Sequence, residues 1–117
     1  MSAVMQAADD MPPWHEVGAL EALFAERACH GVTIDGRRIG LFLVDGAVHA
    51  IDDMCTHGNA LLSDGELEGH EIECPLHAGL FDVRNGRAMC APLTRDAAAH
   101  DVRVETGKVF VRVGSGA

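Results

Sequence analysis

The chain has no tyrosine, one tryptophan and one lysine, and aromatic residues make up only 4% of its 117 positions. Aliphatic side chains must therefore fill the core, and no phenolic hydroxyl is available as a hydrogen-bond donor. Positive charge is scarce as well: nine Lys and Arg stand against eighteen Asp and Glu, for a formal charge of −9. Nucleic acid and anionic lipid are held through Lys and Arg, so this balance disfavours both and favours a partner with a basic docking patch. No apolar run is long enough to span a bilayer. Residues 1–13 carry no positive side chain, include Asp9 and Asp10, and do not resemble a secretory signal, so a cytoplasmic location is expected.

The length fits one domain and leaves no room for a separate oxygenase or reductase catalytic unit. Met1 to Pro13 is rich in Ala, Met and Asp and ends in Pro12-Pro13. It reads as a mobile extension, with the domain running over 14–117. Residues 20–26, Leu-Glu-Ala-Leu-Phe-Ala-Glu, have the one convincing helical composition, a turn or two.

Short strands are predicted almost everywhere else. Val32–Ile34 and Ile39–Val44 flank Asp35-Gly36, and Ala47–Ile51 follows Asp45-Gly46, which gives two hairpin signals and an antiparallel meander. Ser63-Asp64-Gly65-Glu66 reads as a turn before Leu67, followed by strands at Glu71–Cys74 and Leu80–Val83 and a further turn at Asn85-Gly86. His100–Glu105 alternates, with Val102 and Val104 on one face; Val109, Val111 and Val113 repeat the pattern after Thr106-Gly107. Many short strands with regular turns indicate an all-β, antiparallel sandwich or barrel-like domain.

Two segments carry the chemistry: Cys55-Thr56-His57 and, after sixteen intervening residues, Cys74-Pro75-Leu76-His77. Each offers one thiolate and one imidazole at tight spacing, so two loops brought together present two sulfur and two nitrogen ligands. That is the ligand set of a Rieske [2Fe-2S] cluster. Replacing two thiolates by neutral imidazoles removes the net negative charge of the oxidised site, so adding an electron costs less. Zinc is the alternative, since two Cys and two His also make a tetrahedral structural site. Zinc fingers pair like ligands, however, whereas each pair here is mixed and flanked by Gly58, Pro75 or Gly79, as suits two rigid loops. A reducing compartment argues against disulfides, so Cys29 and Cys90 read as small buried hydrophobes.

From Cys55 onward the sequence resembles the Rieske-type ferredoxins of bacterial aromatic-ring-hydroxylating dioxygenase systems. The matching stretches are Cys55-Thr56-His57-Gly58, Ser63-Asp64-Gly65, Leu67-Glu68-Gly69, Glu71 to His77 and Phe81-Asp82-Val83, and Ala88-Met89-Cys90-Ala91-Pro92 looks most like the naphthalene dioxygenase branch. The resemblance implies a β-domain whose cluster sits at one tip, between two ligand loops and a third loop containing Pro92. It implies that Cys55 and Cys74 bind the inner iron and that His57 and His77 bind the outer one with an edge toward solvent. It further implies a non-enzymatic, monomeric one-electron carrier, reduced by an NAD(P)H-dependent flavoprotein ferredoxin reductase and oxidised by the Rieske centre of a terminal ring-hydroxylating oxygenase.

High-potential respiratory relatives add a Cys to each loop and hydroxyl donors from Ser and Tyr near the cluster. Those donors are missing here, which places the expected potential in the lower part of the Rieske range, near about −150 mV. Asp52, Asp53, Asp64, Glu66, Glu68, Glu71 and Glu73 crowd the sequence around the ligand loops and read equally well as a docking surface or as solvated strand faces. His15, His30, His49, His70 and His100 lack a partner at ligand spacing and are expected to be surface or strand residues. Arg84 and Arg87 are expected to be solvated.

Overall fold

The computed structural model describes residues 13–56, 60–76, 79–89 and 95–114. Among these residues nine strands fall into two antiparallel sheets. The larger contains β1 (His15–Ala19), β2 (Cys29–Ile34), β3 (Arg37–Val44), β4 (Ala47–Asp52), β8 (Ala99–Glu105) and β9 (Lys108–Arg112), in the order β1-β9-β8-β4-β3-β2. The smaller contains β5 (Glu66–Glu68), β6 (Glu71–Glu73) and β7 (Leu80–Asp82) in sequential order.

The turns explain the framework. Asp35-Gly36, Asp45-Gly46 and Thr106-Gly107 each have two successive residues at positive φ, between 51° and 82°, the signature of the tight hairpin turn that matches strand twist. Asn85-Gly86 behaves differently, because only Gly86 has positive φ. There Asp82 O accepts from Gly86 N–H at 2.7 Å, and Gly86 O accepts from Ala97 N–H at 2.7 Å, so this turn closes a longer excursion. The expected helix is one turn, α1 (Leu20–Leu23). The strand β1 is absent from the sequence-based reading.

Alternation along β3 places its residues in two cores. Ile39 and Leu41 join Leu23, Ile34, Val48, Val109 and Val111 on one side of the large sheet. Phe42 and Val44 join Ile51, Leu62, Ile72, Phe81 and Val83 on the other, between the two sheets. This second core also contains Cys29, Cys55 and Cys74. The fold is thus all-β, as expected, and the small sheet exists to cap a core that holds both motif cysteines.

Candidate metal centre

Each motif begins at a strand end and turns back through the same closure. Cys55 N–H donates to Ala60 O at 2.8 Å, continuing the bridge between Met54 and Leu61; Cys74 N–H donates to Gly79 O at 2.7 Å, continuing the Glu73–Leu80 pairing of β6 and β7. Two six-residue loops therefore start with a cysteine whose amide is bonded to the last residue of its loop. Cys55 is 3% and Cys74 1% exposed, and both belong to the same apolar cluster. His57 and His77, together with Cys90 and Pro92, lie outside the described residues. Ala60, Leu61, Asp64, Pro75 and Leu76 line a shallow depression between the loops, and Leu76 is 54% exposed.

The first loop is anchored by Asp53, whose polar atoms are all bonded. Its N–H donates to Arg38 O at 3.0 Å and its carbonyl accepts Leu62 N–H at 2.6 Å. Oδ1 accepts Ser63 N–H at 2.7 Å, while Oδ2 accepts Ser63 Oγ–H at 2.8 Å and Arg38 Nε–H at 2.9 Å. A buried carboxylate needs this full set of donors. Space for it comes from Gly31 and Gly40, which pair across β2 and β3: a β-carbon on Gly31 would lie 2.7 Å from Asp53 Oδ2, and one on Gly40 2.9 Å from Oδ1. Arg27 completes the frame, donating to Ser63 O at 3.0 Å and Gly65 O at 2.9 Å.

Asp53 is completely buried, so it belongs to neither of the surface roles read from the acidic crowd. Asp52 is also engaged. Arg37 grips its two oxygens at 2.9 and 3.0 Å, and His100 Nε2 lies 2.8 Å from Oδ1. His100 Nδ1 accepts Gly114 N–H at 2.9 Å, which puts the ring proton on Nε2, donated to Asp52. Burial alone would raise the Asp52 pKa, yet these hydrogen bonds outweigh it and hold the carboxyl below its ordinary range. Asp82 is held low by the hydrogen bond from Arg84, at 2.8 Å, so Arg84 is paired and not merely solvated.

Four of the five remaining acids form a coherent face, while Asp64 lies in the turn Leu62–Asp64. Glu66 stands opposite Glu73, and Glu68 opposite Glu71, on the side of the small sheet away from Leu67, Ile72 and Phe81. Like charges directly opposite each other are unfavourable for the sheet. Their presence on the strands leading to Cys74 gives this end of the molecule a negative field.

The remaining expectations divide plainly. Cys29 is buried, and burial raises its thiol pKa, as suits an unreactive core cysteine. His49 and His70 pack edge to face with ring centroids 6.2 Å apart. Burial first, then the neighbouring His70, pushes the His49 pKa down. Arg95, which nothing in the sequence singles out, exchanges two hydrogen bonds with Thr56.

The donor chemistry fits a Rieske cluster: two buried cysteines enter one apolar core at the mouths of two loops closed by the same backbone bond, and the histidine of each motif follows its cysteine in sequence. The Rieske [2Fe-2S] domain family matches residues 13–108. The ferredoxin component of the Pseudomonas putida naphthalene 1,2-dioxygenase system is 46% identical over 98 residues, covering 84% of this chain and 93% of that one. The ferredoxin of carbazole 1,9a-dioxygenase from Nocardioides aromaticivorans IC177 superposes with a TM-score of 0.80 at 32% identity, covering 85% and 96% of the two chains. A chain from a complex of reduced oxygenase and oxidized ferredoxin in carbazole 1,9a-dioxygenase gives a TM-score of 0.78 at 34% identity, covering 85% and 92%. The chain therefore belongs to the Rieske [2Fe-2S] family, among the ferredoxin components of aromatic dioxygenase systems, with the two-cysteine, two-histidine cluster as its cofactor and electron carriage as its role.

Proposed function

We propose that Cys55 and Cys74 hold one iron of the cluster and that His57 and His77 hold the other, within a functional domain spanning residues 14–117. The observation that carries this assignment is the burial of the two cysteines in a single core behind identically closed loops. When bound, the cluster supplies a site that stores one electron. Asp53, Arg27 and the closures at Ala60 and Gly79 hold the bases from which the two loops spring.

In this reading the protein accepts one electron at a time from a flavoprotein reductase oxidising NADH or NADPH. It delivers each electron to the Rieske centre of a terminal ring-hydroxylating oxygenase, and it acts as a cytoplasmic monomer. No helix among the described residues is long and apolar enough to cross a membrane. The Glu66, Glu68, Glu71 and Glu73 face would meet a basic patch on either partner, while Leu76 and Leu61 offer a small apolar contact beside the loops.

Stopped-flow mixing of the reduced protein with an oxidised terminal oxygenase tests the proposal. One electron per chain should transfer, and the rate should fall as salt screens the acidic face. Failure to reduce any aromatic-ring oxygenase, with the cluster intact, would contradict it.

A further inference from the structure

The segment after β7 is tied to β7 at one end and to the first ligand loop at the other. At its start, Met89 N–H donates to Leu80 O at 2.8 Å, just past the second loop. At its end, Arg95 Nη2 donates to Thr56 O at 3.2 Å, and Thr56 Oγ1 donates back to Arg95 O at 2.9 Å. Its base is closed by Ala97 N–H to Gly86 O at 2.7 Å and by Ala88 N–H to Asp96 Oδ1 at 2.9 Å. Thr56 is the residue between Cys55 and His57. In a chain with twice as many acids as bases, the guanidinium here is turned to a backbone carbonyl inside the first motif.

We propose that Arg95 is a positioning residue for the electron-transfer centre: its two-way bond with Thr56 fixes the peptide joining Cys55 to His57. The inference rests on reading that segment as a ligand loop. The chemistry is specific. The first loop's own closure, Cys55 N–H to Ala60 O, holds its base, whereas the Thr56 carbonyl and hydroxyl lie beyond that closure and are held from outside by Arg95. A charge-assisted donor on the carbonyl and an acceptor for the hydroxyl together set both the orientation of the Thr56 peptide and the direction in which the chain leaves toward position 57. Outer-shell bonds of this kind govern how firmly a metal is held and in what ligand geometry.

The test uses holoprotein of the wild type and of Arg95→Ala, Thr56→Val, Thr56→Ser and the double variant Arg95→Ala/Thr56→Val. The measurements are cluster loss under chelator, the EPR g values of the reduced form and the midpoint potential. Arg95→Ala and Thr56→Val should each lose the cluster about 10-fold faster, with altered g values. The double variant should be worse than either single, because Arg95→Ala removes only the guanidinium bond to the Thr56 carbonyl and Thr56→Val only the hydroxyl bond to the Arg95 carbonyl. Thr56→Ser, which restores the hydroxyl, should restore retention and spectrum.

Wild-type behaviour in Arg95→Ala and Thr56→Val would overturn the proposal. A lowered potential with unchanged g values and retention would also overturn it, since Arg95 would then act through charge alone. If Arg95→Ala assembles no cluster, the threonine pair decides: Thr56→Val defective with Thr56→Ser intact supports the proposal, and Thr56→Val intact overturns it. A wild type without a Rieske signal would instead overturn the ligand assignment itself, which distinguishes the two failures.

Discussion

Gly65 passes against Glu73 so closely that a β-carbon on residue 65 would collide with the Glu73 carbonyl oxygen. The contact joins the turn that follows the first ligand loop to the strand that delivers Cys74, and Arg27 holds the Gly65 carbonyl from the other side. The two loops are therefore set relative to each other by backbone against backbone, which leaves no flexible side chain to yield. Gly65→Ala should destabilise the domain by about 1–3 kcal/mol and lower the iron content. Denaturant unfolding and iron per chain measure both, and a variant with wild-type values would contradict the role given to this contact.

Asp53 offers a second test of loop anchoring. Asp53→Ala leaves the buried Ser63 N–H and Ser63 Oγ without their acceptor, at a cost of about 1–3 kcal/mol each, while the partly exposed Arg38 turns to solvent. Chemical denaturation of the variant against wild type measures the loss. A change under about 1 kcal/mol would mean that the network is not holding the loop.

The hydrogen-bonded carboxyl of Asp52 gives acid sensitivity of known sign. Its folded pKa lies below the ordinary value of about 3.9, so its contribution is complete above about pH 4 and is lost as pH falls through the folded value. The stability gap between wild type and Asp52→Asn should be constant above about pH 5 and should close in more acidic solution. Thermal melts across that range provide the readout, and a gap that widens toward acid would contradict the assignment.

His49 acts in a different window. Because burial and His70 lower its folded pKa, the unfolded chain takes up the proton first, and stability declines as pH drops below about 6.5 toward the folded value. His49→Gln should remove that part of the decline and leave melting above about pH 7 unchanged. An identical pH profile in the two proteins would exclude His49 as its source.

The absence of tyrosine bears on the redox level. With no phenolic donor anywhere in the chain, the potential should fall near about −150 mV, and a value above about +100 mV would contradict the argument.

What was legible in the sequence was what local chemistry decides. Asp35-Gly36, Asp45-Gly46 and Thr106-Gly107 form tight turns because their backbone preferences act within the turn itself. The two Cys and His motifs were legible for the same reason, since their spacing lies within single loops. Long-range relationships were not. Strand β1 contains Gly18 at a register shift and, among the described residues, pairs with β9 from the far end of the chain. Asp53 looks like one more acid in an acidic stretch until Arg38, Ser63, Gly31 and Gly40 are brought around it. Arg95 has no local signal at all, because its partner Thr56 lies in another loop.

Chemical analysis of the purified protein, with EPR of its reduced form, decides whether Cys55, His57, Cys74 and His77 hold a two-iron cluster. The protein should contain about two irons and two acid-labile sulfides per chain, with an average g below that of all-cysteine ferredoxins. That signal should be lost in Cys55→Ser, Cys74→Ser, His57→Ala and His77→Ala. A colourless, iron-free protein prepared without oxygen, or a signal that survives any of these four substitutions unchanged, would contradict the ligand assignment.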